Sequence, residues 1–466
     1  MRVVRLLTAA CITLTVAGIS PAQAETTTQA MPETMAMLRH AISVQTVEGK
    51  NKVPAFAHYL ASKLESAGFA KSDIEIIPVQ HTAALVVHYR GSDSSLKPIL
   101  LSAHMDVVAA TNPDGWSDHD PFKLVKQGKY LYGRGVADMK TNVIALIETF
   151  MRLKREGYVP KRSLITVFSG DEETDMASTR ELAKRYHDAD FLLNADAGGG
   201  VLDADLKPVV YRVQAAEKSY VDFQLTVTSP GGHSSEPNPK QNAIYRLARA
   251  LDHVDAYPFP VRHNKITLAS LKATGAHGKG PLAEALRKFA ANPDDAKAAA
   301  VISADPAYVG QIRTTCVATM LQAGDARNAL PKRATANINC RVFPGVSIAS
   351  VQDQLAKAIA DSNVKIKVRQ PPPVESPASP LRPDVMRAIA ATVHERYPGL
   401  DIVPAMSSGA TDSMYFRNAG VPCYGVDPDF AIPGSAHAHG RNERLLATEV
   451  PAALNFWHRL LTRLTK

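Results

Sequence analysis

Residues 130–140 of this 466-residue chain, YLYGRGVADMK, mark the point where a loop enters a long helix. The helix is predicted over 139–155, because apolar side chains recur there on one helical face. Those side chains are Val143, Ile144, Ile147, Phe150, Met151 and Leu153. Asp138 immediately precedes the helix, a position from which a carboxylate can project into a crevice. A polar site built around Asp138 is therefore the first expectation.

Three short apolar runs predict buried strands, at 99–101, 164–168 and 191–193. Each run leads at its carboxyl end into polar side chains. These are His104 with Asp106, Glu172 with Glu173, and Asp196. Strands separated by helices form a largely parallel sheet, and ligands bind at the carboxyl ends of the strands in such sheets. We therefore predict an α/β fold, with a mostly parallel sheet and flanking helices, in which these polar clusters converge.

The sequence pattern then changes, because apolar and polar residues alternate over 221–227 as in a half-buried strand. Further strands are predicted at 313–322 and 333–343. A proline-rich run over 371–380 forms a stiff link back to a helix–strand pattern. The chain therefore divides into four predicted segments. They are a signal peptide (1–24), the first part of a catalytic domain (25–217), an inserted α+β domain (218–370) and the second part of the catalytic domain (371–466).

Composition and the amino terminus limit the class of protein. With 45% hydrophobic and 21% charged residues, the chain has enough apolar material for two globular domains. Residues 1–24 combine a basic start, an apolar run and the small-residue sequence AQA, as in a secretory signal peptide. The alternative is an uncleaved anchor, for which the apolar run is short. We expect an exported protein, periplasmic or secreted, without stable membrane insertion; its scattered basic residues predict no nucleic-acid partner.

Three cysteines follow the leader, Cys316, Cys340 and Cys423. They are too few for a disulfide framework. Cys316 and Cys340 fall on two predicted neighbouring strands, so an exported location would allow them to pair. Free buried thiols are the alternative, and the sequence does not choose between the two.

The residue types at the strand ends suit a metal. Histidine, aspartate and glutamate are the ligands that zinc takes in catalytic sites, and two ions about 3.5 to 4 Å apart can share one carboxylate. Asp106 follows His104 closely and is expected to accept the second ring N–H of that histidine. Glu172 and Glu173 point differently, so one can bind metal while the other transfers a proton. Each feature alone is more often structural, but together they predict a metal site.

A series of motifs spans nearly the whole chain after the leader. In order they are SAHMDVV, GRGVADMK, SGDEET, NADAGG, SPGGHSS, NALP, GATDS and HAHGRNER. The series resembles the co-catalytic dizinc exopeptidases, a family that includes carboxypeptidase G, aminoacylase, succinyl-diaminopimelate desuccinylase, carnosinase and yeast carboxypeptidase S. A long, partly helical insert at 275–304 is most similar to the carboxypeptidase S branch.

The resemblance implies two zinc ions per chain, with Co²⁺ or Mn²⁺ as alternative metals. Asp138 matches the carboxylate that bridges the two ions. His104 and Asp196 match the other ligands of one ion, whereas Glu173 and His439 match those of the second.

The same resemblance assigns the proton-transfer groups. Glu172 matches the general base, which takes a proton from the attacking water and later gives one to the leaving amine. His439 is preferred to His437 as a ligand, because it begins the family pattern His-x-x-Asn-Glu. His233 matches a histidine that, in dimeric relatives, reaches the partner's active site and polarises the scissile carbonyl; a turn-capping role is the alternative.

Substrate contacts are implied for Asn328, Arg341 and Gly409. Arginine suits a bidentate hold on a carboxylate, although Arg341 is equally suited to a salt bridge within the inserted domain. One position departs from the family, because Met414 follows Thr411-Asp412-Ser413 where many relatives have arginine. This departure leaves open how a free substrate carboxylate is held from this loop.

The predicted function is hydrolysis of a terminal amide bond of small peptides by a metal-activated water, with Glu172 as the general base. Hydrolysis of N-acyl amino acids, as by aminoacylases, is the alternative within the same reaction class. A catalytically silent metal-binding protein is a remote alternative, against which the presence of Glu172 and His233 counts. The resemblance also implies a homodimer formed through the inserted domain, which would act as a lid.

Overall fold

The computed structural model describes residues 26–110, 116, 119–370 and 373–466 of the chain. The predicted signal peptide therefore lies outside the described residues. Within the described ranges, no helix combines the length and the apolar character that crossing a bilayer requires.

The strands of the described residues, in chain order, are β1 (Ile74–Val79), β2 (Thr82–Tyr89), β3 (Ile99–His104), β4 (Val125–Gln127), β5 (Tyr130–Tyr132), β6 (Leu164–Ser169), β7 (Phe191–Asn194), β8 (Gly199–Leu202), β9 (Pro208–Glu217), β10 (Ser219–Thr228), β11 (Gly232–His233), β12 (Thr315–Ala323), β13 (Ala329–Leu330), β14 (Arg333–Val342), β15 (Lys365–Val368), β16 (Ile402–Ser407), β17 (Cys423–Gly425), β18 (Phe430–Ala431) and β19 (Arg444–Leu446).

The α-helices of the same residues are α1 (Thr27–Ser43), α2 (Val53–Ser66), α3 (Lys140–Arg155), α4 (Ala177–Arg185), α5 (Ala243–Ala256), α6 (Lys265–His277), α7 (Gly280–Ala291), α8 (Ala296–Ser303), α9 (Val309–Ile312), α10 (Ile348–Ile359), α11 (Pro383–Arg396), α12 (Ser413–Asn418) and α13 (Glu449–Leu464). A short 3-10 helix covers Lys71–Asp73.

Ten of the described strands form one large sheet in the order β1-β2-β6-β3-β7-β17-β9-β8-β18, with β16 paired to β9. Its centre, β6-β3-β7-β17, is parallel, as predicted. The β1–β2 hairpin and the β8–β9 pair add antiparallel edges that the sequence did not indicate. Strand β1 is half exposed, so it lacks the apolar run by which the central strands were recognised. The fold is the predicted α/β fold, with a mixed rather than mostly parallel sheet.

Helices cover both faces of the large sheet. Side chains of β3 alternate between two cores: Leu101 packs in the core that contains Ile147 of α3, and Leu100 in the core that contains Leu182 of α4. Every residue of β3 is buried, as is usual for parallel strands covered on both faces. A ligand site is therefore expected at the edge of the sheet where these strands end, since helices cover both faces.

The order of the central strands decides what meets at that edge. Strands β6, β3 and β7 are adjacent and parallel, and they end at Ser169, His104 and Asn194. The polar residues that follow these ends consequently share one edge of the sheet. Helix α3 begins at Lys140, so the loop that carries Asp138 leads into the helix there.

A second, four-stranded antiparallel sheet has the order β12-β14-β10-β15. All its strands lie within the predicted insert, 218–370, and helices α5 and α10 pack on one face around Phe223, Leu247 and Leu355. We call this sheet with its two helices the small sheet. Cys316 and Cys340 are cross-strand partners in it and form a disulfide, which decides the alternative left open above.

The remaining helices of the insert form a separate cluster. Helices α7 and α8 lie in the predicted partly helical stretch, 275–304, whereas most of α6 precedes it; the three helices share a core of Leu271, Phe289 and Ile302. Helix α6 also packs against β16 of the large sheet. The insert therefore contacts both sheets rather than only the smaller one.

Candidate metal centre and substrate pocket

His104 lies at the end of β3 with only 1% of its surface exposed. Its Nε2 lies 3.0 Å from Oδ1 of Asp138 and 3.5 Å from Oδ1 of Asp196. Its Nδ1 lies 3.1 Å from the backbone oxygen of Asp106 and 3.5 Å from Oδ1 of the same residue, so the expected carboxylate contact is present but is longer than the contact to the backbone oxygen. The Asp106 carboxylate also accepts the backbone N–H groups of Glu172 (3.1 Å) and Glu173 (3.0 Å). Asp106 thus fixes the ring of His104 and the loop after β6 at the same time.

A second group of ligand atoms gathers on the other side of Asp138. Nε2 of His439 lies 3.1 Å from Oδ2 of Asp138 and 3.0 Å from the Glu173 carboxylate. His437, the alternative histidine, is exposed and its Nδ1 contacts the backbone oxygen of Arg441. The two oxygens of Asp138 therefore face two different histidines.

These contacts define two groups that share Asp138. In each group the ligand atoms lie within 4.8 Å of one another. The groups are His104, Asp138 and Asp196, and Asp138, Glu173 and His439; a further overlapping group contains His104, Glu172 and Glu173. Imidazole nitrogens and carboxylate oxygens arranged in this way form a donor set that zinc accepts.

Carboxylates outnumber cationic groups at this edge of the sheet. Burial raises the pKa of Asp196 to about 6, and neighbouring carboxylates add to the effect. Burial also raises the pKa of Glu172 well above its ordinary value. Hydrogen bonds to two carboxylates raise the pKa of His439 to about 10. Divalent cations would neutralise this concentration of negative charge, so the residues present fit a metal pair.

Glu443 organises the loop that carries Asp138. Its Oε1 accepts the backbone N–H groups of Gly135 (3.0 Å), Ala137 (2.9 Å) and Asp138 (3.0 Å), and its Oε2 lies 2.5 Å from Nη1 of Arg134. Glu443 is completely buried. In the sequence, the one signal of this role is the place of Glu443 at the end of the family pattern His-x-x-Asn-Glu.

A cavity of about 700 Å³ opens beside the metal ligands, between the large sheet and the small sheet. Asp138, Glu172, Glu173, Asp196 and His439 line it on one side. The small sheet contributes Tyr220, Asp222, Arg341 and Arg369, and the segment after β16 contributes Ala410, Thr411, Met414 and Tyr415. This volume suits a small ligand rather than a folded protein.

Arg341 is the one predicted substrate residue that lines the cavity. Its guanidinium lies 4.6 Å from the centre of the Tyr220 ring, its cross-strand partner, and burial lowers its pKa. No described carboxylate lies at ion-pair distance from it. Arg369 lies nearby and donates a hydrogen bond to Asn337 (3.2 Å). Tyr220 and Arg369 were not predicted as substrate residues. The alternation of a strand shows on which face of the sheet a side chain lies, but it does not show that a cavity lies beside that face.

The other predicted substrate residues lie outside the cavity lining. His233 is exposed on β11, where its Nδ1 lies 2.7 Å from the Ser235 hydroxyl. Asn328 is exposed beside it and accepts the N–H of Ser234. Gly409 is exposed, between the lining residues Ser407 and Ala410, and its N–H is donated to the Ser407 hydroxyl (3.1 Å). The structure thus brings together the six residues assigned to metal binding and proton transfer but not His233 or Asn328.

Comparison with known proteins finds a family model and relatives that match most of the chain. Residues 100–463 match the model of peptidase family M20/M25/M40. The chain is 30% identical to a probable carboxypeptidase S-like 2 of Dictyostelium discoideum over 82% of this chain and 75% of that protein. It is 27% identical to the human N-fatty-acyl-amino acid synthase/hydrolase PM20D1 over 90% of this chain and 86% of that protein.

Solved structures agree on the fold. A dipeptidase of Saccharomyces cerevisiae, Dug1p, has a TM-score of 0.68 at 18% identity, covering 94% of this chain and 97% of its own. A metallo-carboxypeptidase of the M20 family from Sulfolobus solfataricus has a TM-score of 0.70 at 16% identity, covering 93% and 99%.

Proposed function

This chain belongs to peptidase family M20/M25/M40 and is a metal-dependent amide hydrolase, and on that premise we propose that it cleaves the terminal amide bond of small peptides with two zinc ions. The observation that carries the proposal is the position of Asp138, whose two carboxylate oxygens face His104 and His439 separately. A carboxylate between two imidazoles is placed so that each of its oxygens could bind one ion of a metal pair.

The proposed ligands are the two groups that share Asp138: His104 and Asp196 for one ion, Glu173 and His439 for the other. Bound zinc supplies Lewis acidity, which polarises a carbonyl and makes water a better nucleophile at neutral pH. Co²⁺ or Mn²⁺ would serve the same donor set.

Glu172 is the proposed general base. Burial and nearby carboxylates raise its pKa, so it can accept a proton from the attacking water and return one to the departing amine. Its position on the cavity wall, in one group with His104 and Glu173, brings it next to the reacting bond.

Arg341 and Arg369 are the proposed binding groups for a substrate carboxylate. Both line the cavity from the small sheet; no described carboxylate forms an ion pair with Arg341, although the charge of Asp222 in the same wall acts on it against the larger effect of burial. Guanidinium groups bind carboxylates in a bidentate manner. This arrangement supports a carboxypeptidase or dipeptidase whose anionic end is held from the small sheet, with Met414 in place of the arginine of many relatives.

The second candidate is hydrolysis of N-acyl amino acids. Met176, Met414, Tyr415 and Pro373 give part of the cavity wall an apolar surface, which suits an acyl chain. The similarity to the human N-fatty-acyl-amino acid synthase/hydrolase points in the same direction. The peptidase remains first, because the polar and charged groups that line the cavity suit a peptide end.

A homodimer through the small sheet is also proposed. Strand β12 is an edge strand whose Val317, Met320 and Leu321 are 60%, 56% and 63% exposed, and Tyr245 of the adjoining helix α5 is 54% exposed. An exposed apolar edge strand is a surface that a second copy can cover. Such a partner would also bring an exposed His233 towards a cavity that it does not line within one chain.

An exported location, periplasmic or secreted, is proposed from the leader. The disulfide between Cys316 and Cys340 supports it, because such bonds persist mainly in oxidising compartments. Cell fractionation with an antibody against the chain tests the location; recovery in the cytosol with residues 1–24 still attached would contradict it.

The experiment for the proposed function uses purified residues 25–466. Elemental analysis measures bound metal, and amine release is followed for dipeptides, their C-terminal amides and N-acyl amino acids, with and without a chelator. We expect two zinc ions per chain and chelator-sensitive release from dipeptides that have a free carboxylate. Equal amine release from dipeptides and from their amides would contradict the proposed binding of the substrate carboxylate by Arg341 and Arg369. Release from N-acyl amino acids alone would favour the second candidate function.

A further inference from the structure

The junction between the two sheets contains two buried ionisable residues. Strand β9 ends at Glu217 in the large sheet, Lys218 follows, and β10 begins at Ser219 in the small sheet. Glu217 and Lys218 are both 0% exposed. Glutamate and lysine are almost never fully buried unless they are paired, so each requires a partner. The partners of Glu217 connect this junction to the metal site.

The Glu217 carboxylate is held from two directions. Its Oε2 accepts the backbone N–H of Thr411 (2.8 Å) and the hydroxyl of the same residue (2.9 Å). Its Oε1 lies 2.5 Å from Nη1 of Arg417, which is also buried. The charge of Glu217 is therefore balanced by Arg417, and Thr411 is fixed by both its main chain and its side chain.

Thr411 is in turn fixed against a residue next to a metal ligand. Because its hydroxyl proton is donated to Glu217, its Oγ1 is left to accept, and Nδ2 of Asn194 donates to it over 3.0 Å. Asn194 also donates to the Ser413 hydroxyl (3.0 Å). On its other side, Oδ1 of Asn194 accepts the backbone N–H of Asp196 (2.9 Å). The side-chain amide of Asn194 is thus oriented through both its nitrogen and its oxygen. The side chains of Glu217, Thr411, Asn194 and Ser413 are all buried.

We propose that Glu217, Thr411 and Asn194 form a positioning relay, which aligns the backbone of Asp196 for metal binding and ties that alignment to the junction between the sheets. The inference rests on the proposed role of Asp196 as a metal ligand. Side chains that orient ligands from behind change metal affinity by about 10- to 100-fold when they are lost. The relay also includes Thr411 in the cavity wall, so the same contacts set the wall beside the substrate.

Thr411→Val is the main test, because it removes the hydroxyl at nearly constant volume and keeps the backbone N–H donated to Glu217. We expect about 10-fold weaker zinc binding, measured on the metal-free protein by competition with a chromophoric chelator, and a fall in kcat larger than any change in KM. Thr411→Ser, which restores the hydroxyl, should restore both. The matched control is Thr392→Val on α11, a buried threonine whose hydroxyl, among the described residues, bonds only the backbone oxygen of Ala388 (2.8 Å).

Ser413→Ala is a second test, which can be measured even if Thr411→Val does not fold. It removes the other hydroxyl that accepts a hydrogen bond from Asn194. It should weaken zinc binding in the same direction. Unchanged zinc affinity in both variants, with a wild type that binds zinc and hydrolyses substrate, would overturn the relay and leave the proposed function standing. A wild type that binds no zinc would overturn both. Lower melting temperature with unchanged zinc affinity would mean that the contacts are only structural, which also overturns the proposal.

Discussion

Glu172 is a buried carboxylate, 9% exposed, in the loop after β6, and other acidic side chains lie near it. Removal of its carboxylate should leave the metal ligands in place while removing the group that transfers protons. Glu172→Ala is therefore expected to keep two zinc ions per chain and lose about 10²- to 10⁴-fold in kcat. Elemental analysis and initial rates measure the two effects separately.

Glu284→Ala, on the exposed face of α7, is the matched control and should leave both quantities unchanged. A Glu172→Ala protein that hydrolyses substrate at the wild-type rate would show that another group is the base. Loss of zinc together with activity would instead assign Glu172 to metal binding.

Lys218 is expected to make the free energy of unfolding depend on pH. Burial, with the nearby Arg341, lowers the pKa of Lys218 to about 7, below its ordinary value of 10.5. Between these values the unfolded chain binds the proton and the folded chain does not, so stability rises with pH in this window. Replacing Lys218 with methionine removes this dependence. The quantity to measure is the melting temperature of Lys218→Met minus that of the wild type. We expect this difference to increase as the pH falls from about 10 to 7, and to stay constant below pH 7.

The other titrating groups are common to both proteins and cancel in that difference. Lys297→Met, at an exposed position on α8, serves as the control and should show a difference that does not change with pH. A constant difference for Lys218→Met as well would mean that the folded protein keeps this lysine charged.

At the scale of single residues, the sequence identified the metal ligands but not their supports. Asp106 was expected to accept the His104 ring N–H through its carboxylate, because the two residues are close in the chain. In the structure both the backbone oxygen of Asp106 (3.1 Å) and its carboxylate (3.5 Å) lie near this ring nitrogen, and the carboxylate also accepts the backbone N–H groups of Glu172 and Glu173. These additional contacts depend on which loops meet, and a one-dimensional pattern does not contain that information.

At the scale of elements, the loop before α3 depends on a residue far along the chain. Glu443 accepts three backbone N–H groups of this loop and forms a buried ion pair with Arg134. Glu443→Gln would leave Arg134 without its counter-charge. Breaking one partner of a buried pair costs about 3–5 kcal/mol of unfolding free energy. We expect a lower melting temperature together with weaker zinc binding, because Asp138 is carried by this loop.

The comparison is with Glu395→Gln, which breaks a partly exposed pair with Arg463 at the surface. Exposed pairs contribute about 0–1 kcal/mol, so this control should melt close to wild type. Equal melting temperatures for the two variants would show that the loop holds its shape without Glu443.

The same scale explains which elements could be predicted. The strands β3, β6 and β7 are buried on both faces and therefore appear as apolar runs, from which the convergence of their ends followed. The β1–β2 hairpin was missed, since a half-exposed edge strand has no such run. The disulfide followed only when the register of β12 against β14 placed the two cysteines opposite each other.

At the scale of the whole molecule, the proposed dimer makes a direct prediction. A charge introduced into the exposed face of β12 should prevent a second copy from covering it. We expect the wild type to have the mass of a dimer in light scattering after size exclusion, and Leu321→Lys to have that of a monomer. Leu381→Lys, at an exposed leucine outside the small sheet, should remain a dimer.

If His233 acts across the dimer, the monomeric variant should also lose activity while keeping its zinc. A wild type that is monomeric at micromolar concentration and fully active would contradict both the dimer and the role of His233. The sequence could suggest this assembly only by family resemblance, because a single chain does not contain the neighbour that completes a surface.

The cavity between the sheets limits the size of the substrates that this enzyme can admit. Its walls come from two separate sheets, and its volume of about 700 Å³ has room for a few residues at the end of a short chain. The surface of a folded domain does not enter such a space, so the shape of the cavity alone would exclude intact folded proteins as substrates.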